Sequence, residues 1–131
     1  MATKFSGLRS PLGRVRGLGS AKEGTHHWWA QRVTAIALIP LTLWFVVSVL
    51  KLAGGGYADY RAWMSGPFNA TAMALFIVVS FHHARLGLQV VIEDYVSSHG
   101  LRTATNMVVQ FLCYGFGALS IISILIVALG R

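Results

Sequence analysis

Six ionisable side chains interrupt one otherwise apolar stretch of this chain: His82, His83 and Arg85, then Glu93, Asp94 and Tyr95. Such groups are costly in hydrocarbon, so they mark a place where chemistry or a polar partner offsets the cost. If the stretch is helical, Ser80, His83, Gly87, Val90 and Asp94 recur at intervals of three or four and share one face. At about 1.5 Å per residue, His83 stands roughly 16 Å from Asp94 along the axis. The small residues Ser80 and Gly87 flank His83 and leave the recess that a flat macrocycle needs to approach a helix. A neutral imidazole in a dry pocket is a usual axial ligand for haem iron. The same ring serves equally as a hydrogen-bonding link to a neighbouring helix. Spacing alone leaves both readings open.

His82 points about 100° away from His83, so one iron cannot take both rings from this helix. It falls on a second stripe with Leu86, Gln89 and Glu93, which reads as a polar contact to another helix or subunit. Arg85, half a turn beyond His83, is placed to snorkel or to meet a carboxylate. Earlier in the chain, His26, His27 and Arg32 cluster beside Trp28 and Trp29. That set is either an interfacial anchor or a cationic holder for an anionic group just below the headgroups, such as a haem propionate.

Three long apolar segments must position these residues, at about 28–52, 67–93 and 103–130. Each meets the requirement of about 20 residues to cross a bilayer core of about 30 Å. Backbone polar groups in lipid must be satisfied within their own segment, so the expected fold is an all-α membrane protein of three transmembrane helices. Pro40, mid-segment, predicts a local kink. Gly54-Gly55-Gly56 predicts the end of the first helix, and residues 57–63 are expected along the membrane surface. Ser65-Gly66-Pro67 reads as a helix start. Ser97 to Gly100 reads as the close of the second helix, with Thr103 or Thr105 as cap of the third.

Lys4, Arg9, Arg14, Arg16 and Lys22 precede the first helix, and Arg102 lies between the second and third. Lys51, Arg61 and Arg131 fall on the other side. The positive-inside rule then places the N-terminus in the cytoplasm and the C-terminus outside. Asp94 and Tyr95 come to the cytoplasmic interface.

Composition excludes the main soluble alternatives. Only 11% of residues are charged, where a soluble domain carries about a quarter. The net charge of +7 could suit nucleic acid, but no soluble surface is left to carry a basic face. Residues 1–25 form a basic arm, with Glu23 its one acid, and residues 26–131 the three-helix anchor domain. The arm's composition resembles a transit peptide or a basic tail. The expectation is a retained arm and a bacterial inner membrane, in preference to the mitochondrial one. A single cysteine, Cys113, allows neither an intrachain disulfide nor a thiolate cluster and reads as a small apolar filler.

The run from His83 to Val96, His-Ala-Arg-Leu-Gly-Leu-Gln-Val-Val-Ile-Glu-Asp-Tyr-Val, resembles the signature of the succinate dehydrogenase hydrophobic membrane anchor, the D-type subunit of respiratory complex II in the cytochrome b family. In both, a histidine is followed by ten residues and then Asp-Tyr, with Gly and Gln inside the interval. Arg32-Val33-Thr34-Ala35-Ile36, with His26 six residues before Arg32, extends the likeness to the first helix. The resemblance implies a b-type haem shared with a C-type cytochrome b sister subunit, one axial histidine coming from each and His83 from this chain. It implies that Tyr95 hydrogen-bonds a ubiquinone carbonyl near an iron–sulfur subunit, that Asp94 orients Tyr95, and that Arg32 and His26 lie near the haem propionates. Succinate oxidation, a step of the tricarboxylic acid cycle, would occur on flavoprotein and iron–sulfur partners. Two other functions meet part of the same residues: a cofactor-free structural or assembly anchor, and a small transporter using His82, His83 and Arg85 as a relay.

Overall fold

Long uncharged runs leave the backbone no partner but itself, and the chain answers with helices. The computed structural model describes residues 11–16 and 24–130. Five helices and no strands occur among the described residues: α1 (Pro11–Val15), α2 (Gly24–Leu52), α3 (Tyr57–Met64), α4 (Pro67–Tyr95) and α5 (His99–Ala128). Three of them, α2, α4 and α5, have 29, 29 and 30 residues and are apolar enough to cross a membrane. At about 1.5 Å per residue each is roughly 44 Å long, longer than the core of about 30 Å. Their ends therefore stand in the interfacial layers.

α4 begins at Pro67, as the hydrophobic pattern predicts, whereas the other two spans begin earlier. α2 starts at Gly24 and takes in Thr25, His26 and His27, and α5 starts at His99. Thr103 and Thr105 are not caps. They lie inside α5 and donate to the carbonyls of His99 (3.0 Å) and Leu101 (2.8 Å), while Ser98 holds the N-cap position. Apolarity locates the part of a helix inside lipid, and a helix does not stop where lipid stops. Arg102 folds back on the short connection, donating through Nε to the carbonyl of Val96 at 3.0 Å. α2 passes through Pro40 without a break. The arm residues Lys4, Arg9 and Lys22, and Arg131 at the other end, lie outside the described residues.

α4 is the central element, and α2 and α5 pack chiefly along it. His83 and Gly87 meet α2, whereas Phe81 and Arg85 meet α5. Phe81 and His83 are two residues apart, about 200° around the helix, so the two neighbours take opposite flanks. All three spans alternate in direction. Thr34 meets His83, and Phe45 stacks on Phe76 at 4.7 Å, which runs α2 antiparallel to α4. Gly117 against Phe81 and Tyr114 under Arg85 do the same for α5.

α3 closes one end of this row. Gly54 has φ of +91°, which glycine adopts without a Cβ penalty, and Asp59 Oδ2 accepts the Gly56 N–H at 2.8 Å to start the helix. Trp63 stacks on Trp44 at 5.7 Å, and Arg61 Nη2 donates to the Gly130 carbonyl at 2.7 Å. α3 thus ties α2 and the end of α5 together.

Only Met64, Ala72, Leu86, Ile92, Cys113 and Ile124 form a buried apolar core among the described residues. Cys113 is buried and free, as a filler should be. Six buried apolar side chains cannot sustain a free-standing fold of this size, because burial is the main favourable term in water. Large side chains such as Ile36, Leu43, Phe68, Phe111 and Leu119 face outward, toward lipid or neighbouring protein. Helix contact here rests on close fit. A Cβ at Gly117 would lie 3.6 Å from the Phe81 ring, ordinary contact distance. Gly117→Ala is therefore expected to be tolerated. Gly117→Leu drives atoms into Phe81 and should cost about 1–3 kcal/mol by overpacking, read as a lower thermal midpoint of the detergent-solubilised protein.

Candidate functional site

The face of α4 turned toward α2 carries His83 in mid-span. Its Nδ1 lies 2.9 Å from Thr34 Oγ1, a polar contact between residues 49 apart in sequence. Thr34 Oγ1 is also 2.7 Å from the carbonyl of Ala30 and 3.1 Å from that of Gln31, both in its own helix. One turn beyond His83, Gly87 faces α2, where an ideal Cβ would sit 3.5 Å from Gln31 Nε2. The recess expected at Gly87 is thus turned on that side to the Gln31 amide. Gln31 Oε1 is itself buried and has no hydrogen-bond partner in the described structure.

The stripe read from His82, Leu86, Gln89 and Glu93 lines a polar crevice of about 610 Å³ between α4 and the start of α2. Gly24, His26, His27, Ala30 and Arg85 complete its walls. His82 therefore meets another helix, as its position predicts, and that helix is α2. Gln89 Nε2 donates to Glu93 Oε1 at 2.8 Å, one turn of α4 closing on itself. The His27 Nε2 atom is buried without a partner. Arg85 meets no carboxylate among the described residues; its guanidinium lies 5.7 Å from the centre of the Tyr114 ring on α5, a cation–π contact. This answers how a charge is held at that depth. Nothing in the α4 sequence could have named a partner on α5.

His26 and Arg32 do not share a face. His26 lines the crevice on the α4 side. Arg32 is exposed and lies 5.3 Å over Trp28. Arg32 is two positions before Thr34, so it points about 200° away from the side that touches α4. At the far end of α4, Asp94 and Tyr95 are exposed, Tyr95 at 84%, and Tyr95 is the last helical residue. A phenol–carboxylate pair so placed can donate and accept hydrogen bonds to a ligand or subunit arriving from outside the chain. Thr34 is the residue that sequence reading passed over. Its signal was faint: a hydroxyl on the α2 face that carries Gln31 and Ala30, with no marker of which helix it meets.

The comparison with known proteins now bears on this arrangement. Residues 6–127 match the model of the succinate dehydrogenase/fumarate reductase transmembrane subunit family. The succinate dehydrogenase hydrophobic membrane anchor subunit of Rickettsia conorii is 38% identical over 107 residues, covering 81% of this chain and 85% of the relative. That of Rickettsia bellii is 32% identical over 124 residues, covering 95% and 96%. The corresponding subunit of Paracoccus denitrificans is 40% identical over 86 residues, covering 66% and 67%. With three apolar spans and a match over nearly its whole length, the chain belongs to the succinate dehydrogenase/fumarate reductase transmembrane subunit family and is a multi-pass membrane anchor of succinate dehydrogenase, working with the other subunits of that complex.

Proposed function

We propose that this anchor shares a b-type haem and a ubiquinone-reduction site with its partner subunits in the bacterial cytoplasmic membrane. The observation that carries the proposal is the pairing, on one helix, of a mid-span imidazole with an exposed Asp94–Tyr95 pair at the helix end. His83 would hold the haem iron from this chain, and a C-type cytochrome b subunit would bring a second histidine. The residues present fit the group. His83 lies in a span, one ring nitrogen is engaged by α2, and the other is left for a metal. When bound, the haem supplies a one-electron redox centre.

Arg32 would supply a cation, and His26 a hydrogen-bonding ring, for its propionates, from different faces of α2. Tyr95 donates a hydrogen bond to the quinone carbonyl as that oxygen gains charge. Asp94 orients Tyr95 and relays protons from the cytoplasmic side, where the positive-inside rule puts this end of α4. Flavin and iron–sulfur chemistry belong to the flavoprotein and iron–sulfur subunits, which dock against that same end. The exposed apolar faces of α2 and α5 leave room for the sister subunit and for lipid.

Purification tests the assembly directly. A tagged form of this chain, solubilised in mild detergent, is expected to bring down a flavoprotein, an iron–sulfur protein and a second membrane subunit, with a reduced-minus-oxidised b-type haem signal. Recovery of homo-oligomers alone would speak for a transporter instead and against the proposal.

A further inference from the structure

We infer that Thr34 fixes the tautomer of His83, making Nε2 the nitrogen that binds the metal and Thr34 a positioning residue for it. The inference rests on the haem reading above and adds to it a named residue on a different helix.

The Thr34 hydroxyl has a single hydrogen and three neighbours: the carbonyl of Ala30 at 2.7 Å, the carbonyl of Gln31 at 3.1 Å and His83 Nδ1 at 2.9 Å. Carbonyl oxygens can only accept, so the hydrogen satisfies one of the two carbonyls or the ring, not both. The Ala30 distance is the usual one for a hydroxyl donor. The chain repeats this habit elsewhere. Ser48, Thr103, Thr105, Ser120 and Ser123 each donate to the carbonyl four residues earlier, at 2.8 to 3.0 Å. With its hydrogen placed on Ala30, Thr34 has only lone pairs to offer, and His83 must be the donor. In the neutral ring, Nδ1 then carries the hydrogen and Nε2 the free lone pair.

Two consequences follow for a bound metal. The ring cannot spin about its bond to the chain without breaking the contact with α2, so its plane is set before the ligand arrives. A hydrogen bond given from Nδ1 also raises the basicity of Nε2, which favours the more highly charged ferric state. Loss of the Thr34 acceptor must therefore raise the haem midpoint potential and weaken haem retention together.

The test uses the intact complex with Thr34→Val, Thr34→Ala, Thr34→Ser and His83→Ala. Valine keeps the branched shape and removes the hydroxyl; alanine removes it without adding a methyl to the helix contact. Both are expected to shift the ferric-to-ferrous preference about tenfold toward ferrous, a rise of about 59 mV for one electron. Haem affinity should fall roughly 10–100-fold, measured by transfer to an apoprotein acceptor. Thr34→Ser, which retains the hydroxyl, should match the parent in both. Unchanged potential and retention in the valine and alanine variants would overturn the role of Thr34, as would an equal shift in the serine variant. A full haem signal in His83→Ala would overturn the haem reading itself, an outcome separate from either of these.

Discussion

Replacing His83 with alanine is expected to abolish most of the reduced-minus-oxidised b-type haem signal of the purified complex. The size of the effect follows from what is removed. Loss of a group that merely supports a metal ligand costs roughly 10–100-fold in affinity, and loss of the ligand itself must exceed that. The backbone of α4 is unchanged by the substitution, and His83 is partly buried against Thr34 and not in the small core. Helix formation and membrane insertion should therefore survive. His82→Ala is the control. Its ring lines the crevice with His26 and His27, about 100° around the helix from His83, so its removal should leave the spectrum close to that of the parent. An anchor without any cofactor predicts no spectral change in either variant. Equal loss in both would mean that the two histidines act on packing and not on iron.

Tyr95→Phe is expected to lower quinone reduction by about 10²-fold, the scale of removing one donor aimed at a developing charge, while dye-linked succinate oxidation stays near the parent rate. The hydroxyl is the only group removed. Tyr95 ends α4 and is 84% exposed, and its side chain makes no hydrogen bond among the described residues. A fold penalty is therefore small, and the effect should fall on the step that involves quinone. Comparison of the two assays on one preparation separates chemistry from assembly. A parallel fall in both activities would place Tyr95 in subunit docking and not at the quinone. Asp94→Asn serves beside it: a carboxylate that relays protons should show its loss in quinone turnover and leave the haem spectrum alone.

The three spans were legible in the chain itself. An unbroken run of apolar residues admits one solution in lipid, because each peptide group must find its partner a turn away. The middle and type of each helix follow from that rule, and so does the concentration of cost at His82, His83 and Arg85. Helix ends were less legible. His26 and His27 look like interfacial loop by polarity, yet α2 begins at Gly24. Thr103 and Thr105 look like caps, yet they donate to carbonyls inside α5. In both cases hydropathy reports the boundary of the lipid and says little about where hydrogen bonding stops.

Which residues lie on a common stripe of α4 depends on helical periodicity alone, and the sequence already determined it: His83 with Gly87 and Asp94, His82 with Gln89 and Glu93. What each stripe faces was decided only by tertiary packing. Thr34 reaches His83 across 49 residues, Arg85 finds the Tyr114 ring, and Arg32 turns away from the side of α2 that His26 shares with α4. Periodicity assigns an angle around one axis. It carries no information about the rotation and height of a second helix, which are set by how side chains such as Phe45, Phe76, Phe81 and Gly117 fit together.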